Sequence, residues 1–323
     1  MSVITTSDLR GLVIESFEDE PHLAAIELPP LTSTGVRIGL RAASINAFDW
    51  KVATGALSHA FEYDFPVTIG RDYAGVVLAV GEGVSRVAVG HPVFGYLGGQ
   101  TLHRGAFATE LYCDEEECFV AMPAELSFEQ AACLPLCGVV AWRCVEAVTP
   151  TEGALVLVVG APGGVGTYAV QLAAARGAQV IATGRDDDAD YLYKLGAVDV
   201  VPPDDSLIGI MRDRYPAGID GLIDVVHFRP QLVEYLDLLR DGGRVASTHR
   251  SVDDADFKGR DLSGVNVHSG PDRDLLTMLA REAADGRLVT PIDTVFEFAE
   301  LPSAVAAAQQ RHSRGRLVVR LQR

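Results

Sequence analysis

Lysine is scarce in this sequence: Lys51, Lys194 and Lys258 are the only three among 27 basic residues. Against the 27 stand 44 Asp and Glu, a formal net charge of −17. That balance excludes nucleic acid as an expected partner, because neutralising its phosphates needs concentrated Lys and Arg. Long hydrophobic runs are also missing, and none approaches the roughly eighteen apolar residues of a membrane span. The opening Met1-Ser2-Val3-Ile4-Thr5-Thr6-Ser7-Asp8 has neither a basic nor an apolar leader region, so the expected location is cytoplasmic. Cysteine is sparse and odd in number, at five, which argues against a disulfide framework. Cys113 and Cys118 lack the companions of a structural zinc site. Cys133, Cys137 and Cys144 fall on one expected helix as small buried hydrophobes.

What is present is a globular composition, 48% hydrophobic and 22% charged over 323 residues, enough for two domains. The most informative stretch is Leu155-Val156-Leu157-Val158-Val159-Gly160-Ala161-Pro162-Gly163-Gly164-Val165-Gly166. An apolar strand runs into a glycine turn and then into a helix closed by Gly177. A second strand follows at 179–183. Strand, glycine turn and helix in that order open a dinucleotide-binding βαβ unit. Gly160 permits the turn, Gly163 and Gly164 let backbone N–H groups approach a pyrophosphate, and Gly166 brings helix close to strand. Val165 and the helix N-terminus complete the cradle.

The first 125 residues read as β-rich, with short runs at 11–14, 24–28, 36–40, 75–80, 92–96 and 107–111 between Gly, Pro and Asp punctuation. They predict a small, partly closed antiparallel barrel. Ser127 as N-cap and Gln130 in the capping-box position start a helix running to about Val148. Strands are then expected at 155–159, 179–183, 198–201, 221–226, 243–247 and 264–268. Helices are expected near 165–176, 187–195, 205–214, 230–240 and 272–285. This alternation predicts a doubly wound parallel sheet. After Gly286 a strand (295–298), a helix (302–312) and a last strand (316–321) are expected to rejoin the barrel. The organisation is therefore α/β, with residues 1–125 and 290–323 in one domain and 126–289 in the other.

Several segments along the chain carry a family resemblance. They are Ala43 to Lys51, Ile69-Gly70-Arg71-Asp72-Tyr73-Ala74-Gly75-Val76-Val77, Leu134-Pro135-Leu136-Cys137-Gly138 and Gly315-Arg316-Leu317-Val318-Val319. Together the chain resembles the medium-chain dehydrogenase/reductase superfamily, in its zinc-independent quinone oxidoreductase-like branch. The resemblance implies a GroES-like barrel domain, a Rossmann domain and NAD(P)H-dependent reduction of quinones or α,β-unsaturated carbonyl compounds. The zinc branch has a Cys where this chain has the Asn46 to Asp49 segment, and His and Glu where it has Arg71 and Asp72. Cys137 alone matches a ligand position, so no metal is expected.

At the end of the second strand, NAD-specific folds place an acidic residue. Here Gly184 and Arg185 stand there, which favours NADPH over NADH; against it, Asp186-Asp187-Asp188 follow, and in the alternative reading Arg185 only neutralises them. Relative to the family, Val140, Pro162, Pro203 and His227-Phe228 are departures. For the chemistry, the resemblance puts Asn46 and Asp49 on the segment facing the nicotinamide: Asn46 as a hydrogen-bond donor, Asp49 as an acid or a structural cap. Lys51 is either an oxyanion donor or a solvated lysine, and Tyr63 lines the substrate mouth or packs in a barrel loop. His227 is a pocket residue or a structural one. A non-redox enzyme of cyclase or isomerase type and a nucleotide-sensing protein are the alternative readings. A homodimer is expected from the apolar edge strand 264–268, paired across a two-fold axis or else covered by a loop.

Overall fold

The computed structural model describes residues 9–309 and 312–322. The N-terminal part contains β1 (Arg10–Ile14), β2 (His22–Ala25), β3 (Gly35–Ile45), α1 (Ala47–Ala53), β4 (Glu62–Tyr63), β5 (Val67–Thr68) and β6 (Asp72–Val80). It continues through β7 (Pro92–Tyr96), β8 (Thr101–Leu102), β9 (Glu110–Asp114) and β10 (Phe119–Ala121). The long strand β3 organises this part. It pairs antiparallel with β6 along nearly its whole length and with β9 near its start. Leu12, Ile38, Leu40, Tyr73, Phe107 and Phe119 fill the interior beneath it.

The helix expected to run to Val148 is two helices, α2 (Phe128–Cys133) and α3 (Pro135–Val148). Ser127 and Gln130 do form the capping box at the start of α2. The break falls at Leu134 because Pro135 has no N–H to continue the ladder and its ring crowds the preceding turn. As the first residue of a new helix, Pro135 is well placed.

Beyond it lie β11 (Leu155–Val159), α4 (Gly164–Ala174), β12 (Gln179–Thr183), α5 (Ala189–Lys194), β13 (Ala197–Val201), α6 (Leu207–Arg214) and β14 (Ile219–Asp224). Then come α7 (Arg229–Tyr235), β15 (Leu239–Ser247), β16 (Leu262–Asn266) and α8 (Arg273–Ala284). The helix expected to reach residue 240 stops at Tyr235, and a 3-10 turn over Leu236–Leu238 leads directly into β15. All six strands are parallel, in the order β13-β12-β11-β14-β15-β16. The strand order reverses between β11 and β14. In open α/β sheets, ligands bind outside the carboxyl ends of the strands at such a reversal.

The chain ends with β17 (Ile292–Glu297), α9 (Leu301–Ala308) and β18 (Arg316–Arg320). β18 pairs antiparallel with β3, so Val318 and Val319 are buried in the barrel sheet and not in the parallel one. All five cysteines are buried thiols. Among the described residues no helix is long and apolar enough to cross a membrane.

Candidate active site

A cleft of about 490 Å³ lies between the barrel and the carboxyl ends of the parallel strands, lined by the glycine turn and, packed against Gly164, by Cys137 and Arg316, with Asn46 beside them. Gly160 has φ +85°, the left-handed conformation that favours glycine. Its N–H donates to Thr183 Oγ1 at 3.0 Å, tying the turn to the end of β12. A Cβ at Gly166 would strike the Gly160 carbonyl oxygen and Ala161 Cα, so helix and strand approach as closely as expected. Gly164 carries a constraint the sequence did not show: a Cβ there would collide with the Arg316 guanidinium and approach Cys137 Sγ at 3.1 Å. Gly163, as N-cap of α4, has only the Gly160 carbonyl oxygen near such a Cβ, at 3.4 Å. Gly163, Gly164 and Val165 all line the cleft. The open cradle and the unpaired N–H groups of the first helical turn therefore fit a pyrophosphate.

At the end of β12, Gly184 is buried, and a Cβ there would meet Leu192 Cδ1 at 2.6 Å. A larger side chain at this position would have to displace Leu192. Arg185 is exposed on the cleft rim. Of the three aspartates that follow, Asp188 is fully buried and held by Arg314 Nε at 2.7 Å and His312 Nε2 at 3.0 Å. Burial raises the Asp188 pKa, but the bonds from Arg314, His312 and the Arg185 amide outweigh it and keep the carboxyl below its ordinary value. Arg314 Nη2 also reaches Asp187 at 2.5 Å. Two of the three carboxylates are thus paired by the tail.

On the barrel side the cleft lining is apolar (Ile45, Phe48, Trp50, Leu136) around one polar cluster. Arg316, 3% exposed, donates Nη1 to Cys137 Sγ at 2.7 Å, and Nη2 to Ser44 Oγ at 2.7 Å and Asn46 Oδ1 at 2.6 Å. Asp72 lies 3.8 Å from Arg316 Nη2 and accepts from Asn46 Nδ2, Ser44 Oγ and the Leu136 N–H. Because Pro135 lacks an N–H, Leu136 supplies the first donor of α3, and Asp72 caps it. Burial lifts the Asp72 pKa to about 6 and that of the Cys137 thiol to about 11, both against the pull of Arg316. Arg71 is buried too, with Nη1 on the Leu97 carbonyl and its guanidinium over the Phe48 ring.

Of the expected catalytic residues, only Asn46 lines the cleft. Asp49 turns inward, where Oδ2 accepts the Asn46 N–H at 2.7 Å and caps α1, while Oδ1 is buried without a partner. Burial pushes its pKa up to about 8. Lys51 is half-buried beside Trp50. Tyr63 donates its hydroxyl to the Val52 carbonyl at 3.3 Å and packs with Phe17 and Phe65. Arg316 was missed as a site residue. It stands 179 positions from Cys137, and no local spacing announces such a pair.

Two family models match the chain: the alcohol dehydrogenase GroES-like domain over residues 32–124 and the zinc-binding dehydrogenase over residues 164–268. The chain is 29% identical to the Triphysaria versicolor quinone-oxidoreductase QR1, over 90% of this chain and 92% of that protein. The chain belongs to the medium-chain dehydrogenase/reductase superfamily, on its quinone oxidoreductase-like side. It is 35% identical over 188 residues to the chloroplast envelope quinone oxidoreductase homolog of Arabidopsis thaliana, and the match spans 54% of each chain. It is also 29% identical to a mycocerosic acid synthase-like polyketide synthase of Mycobacterium tuberculosis, of which it spans 15%. The chain thus spans only 54% and 15% of the length of these last two relatives. The structure of the quinone oxidoreductase from Coxiella burnetii superposes with a TM-score of 0.85 at 25% identity, covering 97% of this chain and 99% of that one.

The zinc named in one of these family descriptions does not fit the residues present. A thiol ligand must be deprotonated, but Cys137 is a buried thiol with a raised pKa, hydrogen-bonded to a guanidinium. Among the described residues no three His, Cys, Asp or Glu side chains group to hold a metal ion.

Proposed function

We propose that the protein is a reductase of quinones or α,β-unsaturated carbonyl compounds that uses NADPH in preference to NADH and needs no zinc. The observation that carries this is one cleft lined both by the glycine cradle and by apolar side chains, with the buried Arg316 cluster packed beside the cradle. When bound, the nicotinamide supplies a hydride.

The protein's own residues do the rest. The N-terminus of α4 and the Gly163–Gly166 backbone hold the pyrophosphate. Arg185 pairs with the 2′-phosphate, supported by the neutralisation of Asp187 and Asp188 by Arg314. Ile45, Phe48, Trp50 and Leu136 exclude water and give a planar substrate its surface. Arg316, held by Asn46, Ser44 and Cys137, sets a positive charge beneath it, suited to an oxygen that gains charge as the acceptor is reduced. Lys51 and Tyr63 stand outside this lining, so the proposal rests on Asn46 and the Arg316 cluster instead.

The test is NADPH consumption with benzoquinone and with cyclohexenone, alongside titration of cofactor fluorescence. Binding with turnover supports a reductase. Binding without turnover of either acceptor favours a nucleotide sensor, and no binding favours a non-redox enzyme on the same scaffold.

A further inference from the structure

The geometry points to His227 as a further cofactor-binding residue: held in place by Asp224, its Nε2 donates to an oxygen of the bound dinucleotide. The inference rests on the proposed function to the extent that a nicotinamide dinucleotide occupies the cleft.

The placement starts from the sheet. Asp224 ends β14 and is the register partner of Val159, the last residue before the glycine turn. Those two strands flank the reversal of strand order, where a dinucleotide crosses the sheet. His227 lies three residues beyond Asp224 and lines the same cleft as Gly160, Gly163 and Gly164. A Cβ on Gly160 would meet the Val226 side chain at 2.5 Å, so the chain just before His227 touches the cradle itself.

The side chain is built for one orientation. Asp224 is fully buried, and its Oδ1 accepts the N–H groups of Val226 and His227, each at 2.9 Å. Its Oδ2 takes His227 Nδ1 at 3.0 Å. A carboxylate only accepts, so Nδ1 carries a proton. The imidazole also stacks on Tyr235, with ring centroids 5.1 Å apart and planes 16° from parallel. Fixed at Nδ1 and on one face, the ring leaves Nε2 with no hydrogen-bond partner among the described residues, on a side chain 25% exposed. An oriented carboxylate–imidazole pair with its second nitrogen open to a ligand cleft is a binding arrangement, and a surface histidine needs none of it.

Charge favours an anionic partner. The hydrogen bond to Asp224 raises the His227 pKa above its ordinary value, and Glu234 adds to it. Facing it from the loop after β15 is His249, whose pKa burial and Lys51 lower, so a second positive charge there is disfavoured. Tyr235, on α7, has its pKa raised by burial and is neutral in this range. Protonated His227 donates from Nε2. As pH rises through its raised pKa, the charge and that donor are lost together.

The experiment compares NADPH affinity of the wild type, His227→Phe and His227→Gln by fluorescence titration at about pH 6.5 and about pH 9, on either side of the imidazole titration. Because the 2′-phosphate itself titrates near the lower pH, the quantity read is the wild-type-to-variant ratio at each pH. His227→Phe keeps the stack on Tyr235 and removes Nε2, and its binding should be about tenfold weaker at the lower pH, as for loss of a charge-assisted bond. That gap should shrink to about threefold or less at the higher pH. His227→Gln keeps a donor without the charge and should fall between. Melting curves check that both variants are folded. Independently of any variant, the imidazole nitrogen signals of His227 in the wild type should shift on adding NADPH. An unmoved signal, or His227→Phe within twofold of wild type at both pH values, overturns this role while leaving NADPH binding intact. A wild type that binds no NADPH overturns the proposed function itself, and this role with it.

Discussion

Arg316 and Cys137 meet at 2.7 Å, guanidinium nitrogen to sulfur, at the point where the last strand of the chain passes the start of α3. The same guanidinium reaches Ser44 and Asn46 at the end of β3, and lies 3.8 Å from Asp72 at the start of β6. One buried cation therefore ties four elements together beside the glycine cradle.

Arg316→Leu should destabilise the protein by ~3–5 kcal/mol, because Asp72 is then left as a buried charge without its cation. Urea denaturation measures it. Adding Asp72→Asn should recover part of the loss, so the double variant falls short of the sum of the singles. Additive losses would mean that the two residues do not act as a pair.

Asp49 makes stability depend on pH in a direction opposite to that of most carboxylates. Its folded pKa, about 8, stands above the ordinary 3.8, so the folded state holds a proton that the unfolded chain releases. The stabilisation is fully present below the unfolded pKa and is lost as pH rises from there towards about 8, by ~1.4 kcal/mol per pH unit for one proton. Asp49→Asn keeps the cap on Asn46 and removes the titration. The stability of the wild type relative to this variant should fall steadily over that window. Parallel profiles would contradict a protonated Asp49.

Arg185→Ala should weaken NADPH by ~1–3 kcal/mol, the range for a lost charge-assisted bond, and leave NADH nearly unchanged. Isothermal titration with both cofactors distinguishes this from a general effect on the cleft. Equal losses would show that Arg185 only balances the aspartates after it.

For assembly we propose a homodimer built on β16, which among the described residues pairs only with β15 and carries Val265 at 48% exposure. The residue to change is Val265 and not Val267: the Val267 N–H already bonds the Ser247 carbonyl at 2.8 Å, and its side chain is buried. Val265→Glu should shift the light-scattering mass from dimer to monomer at micromolar concentration. A wild type that is already monomeric there would rule the seam out.

The glycine turn, the order of strands and helices from 155 to 247 and the capping box at Ser127 could be read locally, because each depends on residues within one turn or one strand. The break at Pro135 was local as well, and continuous apolar periodicity across 128–148 hid it. The overrun of α7 had the same cause: Leu236 and Leu238 continue a helical pattern, but their buried packing beneath β15 belongs to a 3-10 turn.

The glycine turn at the head of a parallel sheet was legible in the residues themselves, since backbone freedom at glycine and the identity of donor atoms are properties of single residues. What faces the cleft came from packing. It turned Asp49 inward, tied Tyr63 to Val52, clasped Asp188 with Arg314 and set Arg316 against Cys137. A side chain's direction and its partner are fixed by packing between elements far apart in the chain, and a buried polar group must find its hydrogen bonds wherever the fold brings a partner.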